Sequence, residues 1–110
     1  ELNFDTDLVL LGGSICYMKE PFTVLDKILK ANPKFILITR TPFSDSLEDS
    51  LSVQIVNPSI YDASYPIWTF SKANFKKYLY SKYNLIEEWK DYFQADSKAE
   101  AMGMLFRRKH

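Results

Sequence analysis

Apolar positions first cluster at Leu8–Leu11, an unbroken aliphatic run with Asp5 and Asp7 before it and Gly12-Gly13 after it. A short all-apolar run bounded by turn formers predicts a strand covered on both faces. Beyond Lys19-Glu20-Pro21, the apolar residues Phe22, Leu25, Ile28 and Leu29 fall at i, i+3, i+6 and i+7, which gathers them on one face of a helix. Pro21 suits the first turn of that helix. Asn32-Pro33 ends it, because a residue before proline is pushed out of the helical region. Phe35–Ile38 predicts a second buried strand, so the chain to this point reads β-α-β, a parallel pair with a right-handed crossover.

Between Thr41 and Thr69 the pattern changes. Leu51, Val53 and Ile55 alternate with Ser52 and Gln54, as in a half-exposed strand. Asn57-Pro58 signals a turn, and Tyr61, Tyr65, Trp68 and Phe70 surround Pro66 in what reads as an excursion laid over one end of the sheet. Ser71 is a good N-cap for a helix that aligns Phe75, Tyr78 and Leu79 on one face. Asn84–Trp89 and Ala101–Phe106 read as two further strands, with the polar stretch Gln94–Glu100 as their hairpin connection.

Composition narrows the function classes. A chain of 110 residues is one domain's worth, and 46% hydrophobic with 25% charged residues is ordinary for a folded one. Lys+Arg and Asp+Glu number 14 each, so no excess of positive charge points to nucleic acid as a partner. A single cysteine, Cys16, excludes an intrachain disulfide and a cysteine zinc site; the one histidine, His110, stands last, so no His-based triad is expected. The longest apolar run is far below the roughly 20 residues that span a bilayer. With no basic-then-apolar leader, the expectation is a cytoplasmic protein without a membrane partner. The start at Glu1, almost directly followed by a strand, is what a fragment would show.

The segment Asp7-Leu8-Val9-Leu10-Leu11-Gly12-Gly13-Ser14-Ile15-Cys16-Tyr17, followed by Glu20-Pro21, resembles the fourth strand and following loop of a class I S-adenosylmethionine-dependent methyltransferase. Ala31-Asn32-Pro33-Lys34-Phe35-Ile36-Leu37-Ile38 then matches the turn and fifth strand of that superfamily. More narrowly, Thr39-Arg40-Thr41-Pro42-Phe43-Ser44-Asp45 and Pro58-Ser59-Ile60-Tyr61-Asp62-Ala63-Ser64-Tyr65-Pro66-Ile67-Trp68 resemble a poorly characterised methyltransferase-like bacterial family associated with surface-polysaccharide genes. The resemblance implies the carboxyl half of the family's domain over residues 1–110, with strands in the order four-five-seven-six and the last antiparallel and wedged between its neighbours. It places Gly12, Gly13 and Ser14 beside S-adenosyl-L-methionine and Tyr17 on the substrate side. The family's glycine-rich loop and the acidic residue that holds the ribose hydroxyls have no counterpart here, so tight cofactor binding is expected only of a longer protein.

Chemistry in open α/β sheets gathers outside the carboxyl ends of the strands. Arg40 and Asp45, following the second strand, are expected to share that rim: Arg40 to grip an anionic group by a forked hydrogen-bond pair, Asp45 to act as a base. Tyr61, Asp62, Tyr65 and Trp68 would form an aromatic lid, with Asp62 or a tyrosine phenol at the acceptor. The expected fold is thus a three-layer α/β half-domain: a mixed sheet of two parallel strands plus a terminal antiparallel hairpin, with flanking helices. The function it points to is methyl transfer to a small-molecule or sugar acceptor. A non-catalytic interaction module is the alternative, and another α/β enzyme whose nucleotide half is likewise absent stays open. Leu8–Leu11 would be an open apolar edge, which predicts a homodimer through that strand.

Overall fold

The computed structural model describes residues 7–55, 64–90 and 100–109. Strand β1 (Leu8–Gly12) leads through a 3-10 turn at Ile15–Tyr17 to helix α1 (Pro21–Ala31) and strand β2 (Phe35–Ser44). Strands β3 (Ser50–Ile55) and β4 (Ser64–Ser71) precede helix α2 (Lys72–Leu79), and β5 (Tyr83–Lys90) and β6 (Glu100–Arg108) complete the set. Pro21 occupies the first turn of α1, as its fixed φ favours. Asn32 ends that helix in the left-handed region at φ 57°, its N–H donating to the carbonyls of Ile28 and Leu29. Ser71 caps α2 by accepting from Asn74 N at 3.3 Å, the hydroxyl cap its sequence position predicts.

β2 organises the sheet. β1 pairs with it in parallel from Leu8↔Phe35 to Gly12↔Thr39, while β6 runs antiparallel along its other edge from Phe35↔Arg107 to Phe43↔Glu100. β5 pairs antiparallel with β6. The order β1-β2-β6-β5, with β6 wedged antiparallel, is the arrangement expected from the sequence. The excursion after β2 proves to be a β-hairpin: β3 and β4 pair from Ser50↔Thr69 to Ile55↔Ser64, and β4 then joins β2 at Phe43↔Phe70 and Ser44↔Ser71. A strand has two edges, so β4 takes over the edge of β2 that β1 leaves at Thr39. Pro66 lies in β4 before the strand reaches β2, where a proline is tolerated because one edge carries no ladder partner among the described residues.

The expected coverage of both sheet faces is corrected. Residues paired across the sheet share a face, so Val9, Leu11, Ile36, Ile38, Met104 and Phe106 lie together on one side, all but Val9 fully buried. Both helices pack on that side, because α1 and α2 touch: Phe22 meets Phe75 and Tyr78, and the Tyr78 hydroxyl donates to Asp26 Oδ1. The opposite face carries Leu8 and Leu10, exposed at 50% and 59%. The described residues therefore form two layers rather than three, and β1 is covered on one face only.

An aromatic cluster fills the junction of helices and hairpin. Phe43 and Phe75 meet edge to face at 5.1 Å, Phe22 and Phe70 likewise at 5.9 Å, and Phe70 and Phe75 lie 5.3 Å apart. Such pairs are worth about 0.5–1.5 kcal/mol each beyond the area they bury. Phe70 joins the cluster where β4 meets β2, which ties the hairpin to the core. Among the described residues no helix is long and apolar enough to cross a membrane.

Candidate functional site

The parallel strands β1 and β2 end their pairing at Gly12↔Thr39, and this rim is built around one carbonyl. Thr39 O accepts from Gly13 N at 2.9 Å and from the buried Thr41 hydroxyl at 3.0 Å. The two bonds fix a bulge in β2. Ile38 pairs with Met104 and Thr41 with Met102, so Thr39 and Arg40 together oppose Gly103. Arg40 takes the strain at φ 53°, a left-handed conformation that costs a non-glycine residue roughly 1–2 kcal/mol. Strained backbone held by surrounding bonds beside a rim of small residues is a common feature of ligand sites.

The two glycines differ in what they require. Gly13 has φ 73°, and a Cβ there would lie 3.4 Å from Arg40 Cβ, so the turn itself explains it. Gly12 has an ordinary φ, and a Cβ would make only a normal 3.5 Å contact with Thr39 Oγ1. Neither backbone nor packing within the described residues demands a glycine at position 12, which is exposed. Close approach of a ligand to its backbone remains as a physical reason. Ser14, also exposed, makes no side-chain capping bond to the 3-10 turn it precedes.

Around this rim the structure gathers Tyr17 and Trp68. Tyr17 stands exposed at the end of the 3-10 turn. The Trp68 indole N–H donates to Met18 O at 3.1 Å, and its ring stacks on Phe70. Trp68 thus pins the loop after the 3-10 turn to the hairpin. Cys16 is buried behind the rim, its thiol 3.8 Å from Gly13 O. Burial pushes that thiol up to about 11, so it stays protonated and unreactive at neutral pH.

Other expected residues do not join. Asp45 was expected on the same rim as Arg40, but β2 does not end at Ile38; it continues through the bulge to Ser44. At about 3.3 Å per residue, Asp45 stands roughly 20 Å along the chain from Thr39. There its side chain is 96% exposed and 3.4 Å from Lys72 Nζ. Tyr61 and Asp62 lie outside the described residues. Tyr65 is placed by its backbone pairing with Gln54 in the hairpin. Sequence reasoning missed the Thr39 carbonyl as the hub of the rim, since a bulge built on Arg40 carries no glycine signature. It also missed Gly103, on which the Trp89 indole lies; a glycine inside an apolar strand run was the available signal.

No family model matches the chain, and no curated protein matches it. Among solved structures, it is similar to a crystal structure of the N-terminal domain of EvdMO1 in the presence of SAH and D-fucose. The two share a fold. The TM-score is 0.58 at 14% identity, over 94% of this chain and 47% of that one. The chain therefore spans about half the length of the EvdMO1 domain it matches. At that identity the likeness concerns architecture, and it agrees with the mixed α/β class read from the sequence.

Proposed function

We propose that this chain is the carboxyl half of an S-adenosyl-L-methionine-dependent methyltransferase domain, acting on a hydroxyl of a small molecule such as a sugar. The sheet order β1-β2-β6-β5, with its antiparallel wedged strand, carries the reading, because it is the order the sequence resemblance implies. The likeness to the EvdMO1 domain supports it. That domain was solved with SAH, the demethylated form of this cofactor, and with D-fucose. The exposed Gly12 and Ser14 fit one side of such a cofactor, and the residues for its ribose and methionine end would come from a preceding half.

When bound, the cofactor supplies an electrophilic methyl group for an in-line displacement, which the protein assists chiefly by alignment and exclusion of water. In this reading Gly12, Gly13 and Ser14 let the cofactor approach the backbone. Arg40 orients the acceptor by forked hydrogen bonds, and Tyr17 and Trp68 wall the acceptor side. Tyr61, Asp62 and Tyr65 would complete a lid, with Asp62 or a phenol taking the hydroxyl proton; Asp45, on its distance from the rim, is the weaker candidate for that base.

Calorimetric titration with SAH tests the proposal, using this chain beside a longer product that carries a glycine-rich strand-loop-helix upstream. Binding by the longer protein alone is the expected result; binding by neither leaves a likeness of fold only. A non-catalytic interaction module is the second reading, favoured by the uncovered sheet face bearing Leu8 and Leu10. A gene without the upstream glycine-rich unit would decide for it.

A further inference from the structure

The end of the sheet opposite the rim carries a cleft of about 460 Å³, lined by Lys34, Asn84, Ile86, Arg107, Arg108 and Lys109. Four of the six lining residues are cationic and none is acidic. The chain as a whole is balanced at 14 positive and 14 negative side chains, so this is a segregation of charge rather than a reflection of composition. Among the described residues, the ion pairs Lys72–Asp45, Lys76–Glu88 and Lys90–Glu100 all lie elsewhere, and none involves Lys34, Arg107 or Lys109.

The cleft is built on paired strands, not on a loose end. Arg107 stands in register between Phe35 of β2 and Asn84 of β5, which brings its side chain and the Asn84 amide to one face. Backbone bonds from Arg108 N to Lys34 O at 2.8 Å and from Lys109 N to Lys82 O at 2.9 Å fasten the basic segment on both sides. Arg108 is further anchored by donating to the carbonyl of Asn32, the residue that caps the end of α1, at 2.6 Å. The fixed backbone holds like charges together, and a bound anion relieves that repulsion. Ile86, 51% exposed, adds one apolar wall.

We propose that this cleft binds a small phosphorylated molecule. Its phosphate oxygens would be gripped by Arg107 with Lys34 and Lys109, its uncharged body lying against Ile86 and within reach of the Asn84 amide. The volume falls in the range of small-molecule sites, roughly 300–1,000 Å³, and exceeds what a lone phosphate fills. Lys34 and Thr39 are separated by five residues of strand, roughly 16 Å at 3.3 Å per residue. The site is therefore distinct from the Gly12 rim and does not depend on the methyltransferase reading.

The test is calorimetric titration of the whole chain with sodium pyrophosphate and with inorganic phosphate at low and at physiological ionic strength. Arg107→Glu and Lys109→Glu probe the cleft, and Lys77→Glu, exposed on α2, controls for net charge; circular dichroism checks that each variant folds. Expected are saturable one-site binding of pyrophosphate, tighter than phosphate, and a loss of at least tenfold in either cleft variant but not in Lys77→Glu. Lys109 lies beyond the last strand, so its variant reports even if Arg107→Glu unfolds. Absence of saturable binding at millimolar pyrophosphate would overturn the proposal, as would equal weakening by Lys77→Glu. Tenfold tighter binding of single-stranded RNA, or of phosphatidylglycerol vesicles, abolished by the same cleft variants would also overturn it, in favour of a macromolecular surface.

Discussion

Replacing Gly103 with alanine should destabilise the protein, although the same change in most strands does the reverse. Glycine loses more freedom on folding than alanine, so a tolerated Gly→Ala gains about 0.5–1 kcal/mol. At Gly103 the added Cβ would lie 2.2 Å from Trp89 Cε2, 2.3 Å from Cζ2 and 2.4 Å from Nε1. Carbon atoms in contact sit about 3.5–4.0 Å apart, so the indole must move by more than about 1 Å. The backbone of β6 cannot yield instead, because β2 and β5 flank it on both edges. A tryptophan buries roughly 150–250 Å²; if the half-buried Trp89 gives up about 100 Å², the loss at about 25 cal/mol per Å² is about 2.5 kcal/mol. The net cost of Gly103→Ala is then about 1.5–2 kcal/mol. Urea unfolding followed by far-ultraviolet circular dichroism measures it. In a Trp89→Ala background the obstacle is gone and the sign should reverse, with Gly103→Ala stabilising by about 0.5 kcal/mol. Equal destabilisation in both backgrounds would refute the argument, as would stabilisation by Gly103→Ala alone.

Three further outcomes are expected. Gly13→Ala should cost about 1–2 kcal/mol because of its left-handed φ, whereas Gly12→Ala, with room for its Cβ, should raise the urea midpoint by about 0.5–1 kcal/mol of stability yet weaken SAH binding by the longer protein, as titration would record. Because the folded state holds the Cys16 proton up to about 11 against an ordinary 9.0, the unfolded chain releases it first as pH rises. The urea midpoint should therefore fall between pH 9 and 11, a trend the raised Tyr83 and Tyr78 phenols reinforce, and iodoacetamide at pH 8 should label Cys16 slowly until urea is added. Finally, we propose that two copies pair through the edge of β1 that has no strand partner among the described residues, since β1 carries no charge or proline to block it. Sedimentation should show a dimer that Leu10→Lys converts to monomer, and a wild-type monomer at high concentration would remove the idea.

The elements legible in the sequence were those whose signals are local. Pro21 and Asn32 bound α1, Ser71 caps α2, and the apolar runs at Leu8–Leu11 and Phe35–Ile38 are strands, because each rests on backbone chemistry within a few residues. Coverage was not legible, since an all-apolar strand reads the same whether its second face is packed or open. Leu8 and Leu10 alternate with Val9 and Leu11 in exposure although nothing in their chemistry distinguishes them. The hairpin strand β4 was obscured by Pro66, which argues against a central strand but not against one that reaches β2 only at Phe70.

The same division explains the candidate site. Gly12, Gly13 and Ser14 lie where β1 ends, and Tyr17 in the 3-10 turn just after it, because a short strand fixes where its own end lies. Arg40 and Asp45 were not equivalent, because the distance between them depends on where β2 stops, and that is set by partners distant in sequence. β6 pairs along β2 as far as Phe43, and β4 arrives at Phe43 and Ser44, so the strand extends past Ile38 through a bulge. That extension brings Arg40 to Gly13 and leaves Asp45 with Lys72. Long-range pairing of this kind also assembles the basic cleft, since Lys34 and Arg107 become neighbours only because Phe35 and Arg107 share a register. Local chemistry thus reveals one residue of a site at a time, and the sheet register decides which of them can act together.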